Sequence, residues 1–398
     1  MERLIENYRR KIAAIQVKFI RSIAGTIAWD ARLVGLRGAR GVGKTTLLLQ
    51  HIKQVFDDNL NAALYVSLDN LWFAEHSLPE LADTFIKRGG THLFLDEVHN
   101  YPQWSQAIKN LYDDYPDLHI VFTGSSLLEI LNARADLSRR AVVYTMQGLS
   151  FREFLNLQTG KDFPALSLQE ILQDHTTLSA DIVGEVHPFQ YFPAYLQTGY
   201  YPYFLEGLDV YALRLEETVH MILEMELPQL RHVDTAYVPK LKQLLSIISE
   251  SAPFIPNISK LSDRIGLNRH TLLAYLQYLS DAKLTYSLYR DAHGISALQK
   301  PDKLYLENTN LMYLFRGKET DTGNIRETFL ANQLSYAHRL EFSVSGDFLV
   351  DGQYTIEVGG RSKTRRQIQG VPDAYIAADN LEYGNDRKIP LWLFGFLY

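Results

Sequence analysis

The sequence contains no cysteine. That excludes a disulfide framework, a thiolate metal site and a cysteine nucleophile, and it fits a reducing compartment. Long apolar runs are missing too. The stretch Leu391-Trp-Leu-Phe-Gly-Phe-Leu-Tyr398 is far shorter than a bilayer span and reads as a final core strand. Residues 1–11 are charged and hold no apolar signal region, so the expectation is a cytoplasmic protein without a membrane partner. Nor is there an excess of positive charge. The net charge of -6 gives no general pull toward nucleic acid, and any such contact has to be local.

What is present is ordinary for a soluble globular protein: 46% hydrophobic and 22% charged residues. At 398 residues the chain exceeds what one core usually holds, which predicts two or three domains.

The first motif is Gly38-Ala39-Arg40-Gly41-Val42-Gly43-Lys44-Thr45, followed by Thr46. It follows the apolar run Arg32-Leu-Val-Gly-Leu-Arg37 and precedes a segment rich in helix formers. Strand, glycine loop and helix together define a P-loop. Three glycines let the backbone curl so that several N–H groups face one anion, and the helix adds its positive end. Lys44 is then the residue for the β- and γ-phosphates of ATP, and the Thr45 hydroxyl a ligand for Mg²⁺.

Four more short apolar runs follow, at 62–68, 92–96, 118–123 and 141–145, mostly separated by helical stretches. This alternation predicts a parallel sheet with helices on both faces. Polar residues at the strand ends are then the candidates. Leu93-Phe94-Leu95-Asp96-Glu97 reads as a Walker B strand about 50 residues after the P-loop. Asp96 is the expected Mg²⁺ ligand and Glu97 the base that polarises the attacking water. Thr123 and Ser125 are candidate γ-phosphate sensors, while Ser126 either shares that role or caps a helix over 127–132. Arg139 and Arg140, with Arg134 as a third candidate, are either fingers reaching a γ-phosphate or solvated loop residues.

These motifs, with Val121-Phe-Thr-Gly-Ser-Ser126, Gly148-Leu-Ser-Phe-Arg-Glu-Phe154, Tyr195-Leu-Gln-Thr-Gly-Tyr-Tyr-Pro-Tyr203 and Lys303-Leu-Tyr-Leu-Glu-Asn-Thr-Asn-Leu311, resemble the prokaryotic AAA+ type ATPases of the archaeal-ATPase group. Those proteins carry a C-terminal domain of unknown function. The resemblance covers nearly the whole chain and implies an ATPase; it implies little about what the ATP is used for.

Beyond residue 150 the readings stay open. Tyr191, Phe192, Tyr195, Tyr200, Tyr201, Tyr203 and Phe204 crowd one stretch, as the core of a helical lid or as a stacking platform for bases. Residues 236–290 read as helix, helix, glycine turn, helix and strand, which resembles a winged helix-turn-helix. Arg269, His270 and Thr271 would face DNA, or the module packs on a protein. In the last hundred residues Glu327, Asp347 and Glu357 resemble the metal-binding acids of the restriction-endonuclease-like fold. The lysine that fold places two residues beyond the glutamate is Gly359 here, with Lys363 as a substitute, which points to a retired nuclease. Arg361, Lys363, Arg365 and Arg366 form a basic cluster, either a phosphate contact or a solvated loop.

The expected fold is α/β: a P-loop ATPase domain at 1–150, a helical lid at 151–235, a winged helix at 236–295 and a nuclease-like α/β domain at 296–398. The expected function is a Mg²⁺-dependent, ATP-hydrolysing switch acting on these output domains. The alternatives are an ATP-gated DNA-binding protein and a protein-interaction switch, either one as a homo-oligomer.

Overall fold

The computed structural model describes residues 1–124, 137, 139–231, 233–290, 300–317 and 320–398. Ser125, Ser126, the helix expected over 127–132 and Arg134 lie outside the described residues. The chain forms two compact units, Met1–Gly148 and Leu149–Tyr398.

The first unit is built on strands β1 (Leu33–Arg37), β2 (Ala63–Ser67), β3 (His92–Asp96), β4 (His119–Gly124) and β5 (Val142–Thr145). They form one sheet in the order β2-β3-β4-β1-β5, and every pairing is parallel. Continuous apolar runs such as Leu93-Phe94-Leu95 are buried on both faces, as a helix-covered parallel sheet requires. Among the described residues its α-helices are α1 (Glu2–Ala14), α2 (Lys44–Phe56), α3 (Leu78–Lys87) and α4 (Trp104–Asp114). Ser77 and Glu80 start α3 with a reciprocal cap, so its first N–H groups are satisfied by the chain itself.

Register decides what meets at the carboxyl edge of the sheet. Arg37 of β1 pairs with Gly124 of β4, and Leu95 of β3 with Phe122 of β4. Because β4 lies between β1 and β3, Thr123 sits between the strand that feeds the P-loop and the strand that ends in Asp96. Gly35 makes this close packing feasible: a Cβ there would lie 2.7 Å from Phe122 Cζ.

Rings cluster beside β3. Trp29 stacks on His51 at 3.7 Å, and His92 stacks on His119 at 4.6 Å.

The second unit begins with the helices Phe151–Thr159 and Leu168–Glu185, each started by a serine–glutamate cap. Phe192, Tyr195, Tyr200, Tyr201 and Phe204 are buried, and Tyr191 and Tyr203 half-buried, so the aromatic crowd is core. Helices Val238–Ser251, Ile258–Ile265 and Arg269–Asp281 follow. Gly266 closes the second of these in the left-handed conformation, and Asn268 caps the third by accepting from the Thr271 N–H. β6 (Thr285–Leu288) and β7 (Lys303–Leu306) pair antiparallel, and Phe254 bridges Leu304 on the other side of β7. The last segment holds a mixed sheet of β8 (Leu340–Phe342), β9 (Phe348–Val350), β10 (Tyr354–Gly359), β11 (Ala374–Ala378) and β12 (Lys388–Pro390), in the order β12-β11-β10-β9-β8.

One expectation is corrected here. The terminal run is not a strand: Leu391–Phe396 is a 3₁₀ turn, fully buried. Strand β12 ends at Pro390, and the chain then coils onto the helix Phe151–Thr159, where a Cβ on Gly395 would lie 2.4 Å from Phe151 Cβ. A short, wholly apolar run carries no period, so strand and buried turn read alike in sequence. Among the described residues no helix is long and apolar enough to cross a membrane.

Burial, reinforced by nearby His92, lowers the His51 imidazole from 6.5 to about 4. The folded state therefore keeps His51 neutral where the unfolded chain binds a proton, and stability falls as pH drops from about 6.5 toward 4. His51→Phe, which keeps a ring on Trp29, is expected to lose on the order of 1–2 kcal/mol less than the wild type between pH 7.5 and 5. Urea unfolding at the two pH values measures this; parallel losses in both proteins would remove His51 as the cause.

Candidate functional site

The loop between β1 and α2 is shaped by its glycines. Gly41 and Gly43 have φ of 83° and 99°, the left-handed region that side chains resist. Gly38 has another reason: a Cβ there would lie 2.2 Å from the Met146 carbonyl oxygen. Lys44 opens α2 and is buried, with Nζ donating to the Gly38 and Ala39 carbonyls at 2.9 Å each. Ala39, Arg40 and Thr45 are half-buried, Val42 is buried, and Thr46 is exposed at the start of the helix.

Asp96, at the end of β3, is 2% exposed. A carboxylate so deeply placed needs donors, and three hydroxyls converge on it. Thr45 Oγ1 donates to Oδ2 at 2.6 Å from α2, and Tyr65 OH donates to Oδ2 at 2.8 Å from β2. Thr123 Oγ1 donates to Oδ1 from β4. Burial, then the Asp96 charge, push the Tyr65 phenol far above its ordinary value, so it stays a donor at any physiological pH.

Glu97 follows with φ 53° and ψ 45°, a conformation non-glycine residues adopt at a cost of roughly 1–2 kcal/mol. Its backbone N–H donates to Thr123 Oγ1 at 3.2 Å, and its Oε2 lies 3.5 Å from His99 Nδ1. Thr123 therefore holds both Asp96 and the turn that aims Glu97.

The structure thus brings Gly38, Lys44, Thr45, Asp96, Glu97 and Thr123 to one edge of the sheet. Arg139 and Arg140 it does not. They precede β5, whose Val142 pairs with Val34 and whose Thr145 pairs with Arg37, so they stand at the opposite edge from the loop. The intervening strand length is on the order of 15 Å. Arg139 is exposed, and Arg140 makes a two-pronged pair with Asp113 at 2.9 and 3.0 Å.

Thr45 and Asp96 offer oxygen only, the donor chemistry Mg²⁺ takes while keeping water and phosphate in the rest of its shell. The residues fit that ion. Among the described residues no three histidine, cysteine, aspartate or glutamate side chains converge as an all-protein metal cage.

The acids of the second unit differ. Lys303 pairs with Glu327 and lies 3.9 Å from Asp347, and Lys363 pairs with Glu357. Asp347 also accepts from the Val358 N–H at 2.7 Å. A Cβ on Gly359 would lie 2.6–2.8 Å from the Lys363 stem, so Lys363 occupies the space a side chain at 359 would need. Burial raises the carboxyl values of both Glu327 and Glu357. Each acid is already matched by a lysine or a backbone donor. Turning Lys363 inward also takes it out of the basic cluster, of which Arg361 and Arg366 are exposed.

Two residues of the first unit were not singled out in the sequence. Tyr65 lies mid-strand with no motif around it. Arg21, 8% exposed, donates to the carbonyls of Val42 at 2.9 Å, Gln147 at 2.9 Å and Gly148 at 2.8 Å.

Residues 30–155 match the family model described as AAA domain, and residues 189–322 match one described as a domain of unknown function (DUF8612). With its parallel sheet and P-loop, the first unit is an AAA+ type P-loop domain. No curated protein matches the chain. Among solved structures, the Orc1 protein of Aeropyrum pernix, in complex with DNA, is 12% identical over 77% of this chain and 91% of that one, with a TM-score of 0.32. AMPPCP-bound DnaA from Aquifex aeolicus is 14% identical over 66% of this chain and 85% of that one, with a TM-score of 0.27. The Hsp104–ADP complex of S. cerevisiae is 16% identical over 71% of this chain and 41% of that one, with a TM-score of 0.29. At such scores none of the three carries an argument about what this chain does.

Thr123→Val keeps the shape but removes one donor to Asp96 and the acceptor for the Glu97 N–H. We expect it to cost about 1–3 kcal/mol of stability near neutral pH. Denaturant unfolding beside Thr123→Ser, which keeps the hydroxyl, checks this, and an equal loss in the serine variant would show that packing alone is at stake.

Proposed function

We propose that the chain is an ATP-binding and ATP-hydrolysing switch of the AAA+ type, dependent on Mg²⁺. The observation that carries the reading is the 2.6 Å contact between Thr45 and Asp96, which joins the phosphate loop to the strand-end acids. In this reading the loop from Gly38 to Thr46 holds the phosphates, and Lys44 carries the charge of the β- and γ-groups. Thr45 and Asp96 would hold Mg²⁺, which would supply positive charge against that developing on the phosphate oxygens. Glu97 accepts a proton as the water oxygen bonds to the γ-phosphorus and the bond to the bridging β–γ oxygen breaks, leaving ADP and phosphate. Thr123, with Ser125 two residues on, reports whether the γ-phosphate is there.

Arg139 and Arg140 then act on a second copy, because their edge of the sheet is remote from their own P-loop. A stabilising arginine of this kind contributes on the order of 10³–10⁵ in rate, so turnover should rise with protein concentration.

Lys44→Ala is expected to abolish ATP binding in calorimetry, and Glu97→Gln to bind ATP yet release phosphate at least about a hundredfold more slowly. Unchanged affinity in the first, or wild-type turnover in the second, would end those assignments.

A second reading rests on the module between residues 238 and 306. Its three helices, the hairpin of β6 and β7 and the Phe254 bridge support a winged helix. Arg269 and His270 are exposed at the start of the third helix, with Thr271 half-buried beside them, as a groove-facing helix would present them. The reading is that nucleotide state gates DNA contact through this helix and the exposed Arg361 and Arg366. A gel shift with duplex DNA at low salt, with and without ATP, is expected to show an ATP-dependent complex. Absence of any complex there leaves a protein partner as the output.

A further inference from the structure

We infer that Arg21 is a positioning residue for the nucleotide: by holding the Val42 carbonyl inward it turns the Gly43 N–H toward the phosphates. This rests on the ATP-binding reading of the loop.

The geometry is that of a single peptide plane. In a trans peptide the C=O and the following N–H point in opposite directions. The Val42–Gly43 peptide is followed by a glycine with φ 99°, so the torsion on that side does little to fix which face it turns. Arg21 fixes that face. Its buried guanidinium donates to the Val42 oxygen from the inner side of the loop. The Gly43 N–H, the first at the mouth of α2, is thereby aimed outward, where an anion would bind.

Arg21 also donates to Gln147 and Gly148, in the segment that follows β5. That segment already touches the loop, since Met146 N–H donates to the Arg37 carbonyl at 2.6 Å and its oxygen closes on Gly38. Arg21 thus ties the far side of the loop to the same segment as its beginning. The segment that leads to Arg21 is tied to α2: Gln50 Nε2 donates to the Gln16 and Phe19 carbonyls at 2.8 Å each, and Lys53 Nζ to the Ile15 carbonyl at 2.8 Å. A planar guanidinium can span three carbonyls at once, whereas an ammonium on a flexible stem cannot hold the same fork.

Calorimetric titration of ATP with Mg²⁺ into the full chain, with its thermal melt, tests this for Arg21→Met and Arg21→Lys. Both variants fill the stem's space. The expected result is a stoichiometry near one with Kd raised at least about tenfold for the methionine and a few-fold for the lysine. A purely structural role predicts the reverse: a lower melting temperature and reduced stoichiometry, but wild-type Kd in the molecules that fold. That result overturns the inference. Should the methionine variant fail to fold, the lysine variant decides by the same split. Loss of binding in the wild type would instead remove the ATP reading itself.

Discussion

A buried carboxylate is expensive to keep charged, and the first unit is arranged around keeping Asp96 so. Three neutral hydroxyls from three elements, Thr45, Tyr65 and Thr123, donate to its two oxygens. Hydrogen bonds of this kind stabilise the anion without cancelling its charge. They also set geometry. Each donor comes from a different neighbour in the order β2-β3-β4 or from the helix after β1, so the carboxylate can be satisfied only when strand order and register are right. The same constraint reaches the next residue, because Thr123 uses its one oxygen both to donate to Asp96 and to accept from Glu97.

The phosphate loop follows a complementary rule. An anion site made of N–H groups requires the matching carbonyls to face elsewhere and be satisfied there. Two of these carbonyls, on Gly38 and Ala39, are met by Lys44; that of Val42 is met by Arg21. The cations near the loop therefore act on its backbone as well as on any ligand.

How much of this was legible follows from how far apart in sequence the parts lie. The loop was legible because its glycines, lysine and threonine are consecutive and each is demanded by local backbone conformation. Asp96 and Glu97 were legible because an apolar run ends on them. Tyr65 and Arg21 were not: Tyr65 meets Asp96 across 31 positions and Arg21 meets Gly148 across 127, and neither meeting exists until the sheet is assembled. Arg139 and Arg140 were legible as arginines before a strand, but their edge depends on β5 running parallel to β1. In the second unit the cap at Asn268 was local and plain. The turn at 391–396 was not, because a wholly apolar run carries no period to read.

The two acidic clusters separate on charge balance more than on residue type. Asp96 is surrounded by hydroxyl donors that leave its negative charge in place beside an oxygen-only partner. Glu327 and Glu357 have lysines against them, and burial already favours their protonated forms. A divalent cation entering the second cluster would have to displace or repel two ammonium groups before gaining a ligand, whereas one approaching Thr45 and Asp96 exchanges only hydroxyl hydrogen bonds. Lys363 enforces this difference through Gly359, since only a residue without a Cβ leaves the stem its path to Glu357. The electrostatics of the second cluster thus favour a structural network, and the oxygen donors that lack a cationic partner of this kind lie at the carboxyl edge of the first sheet.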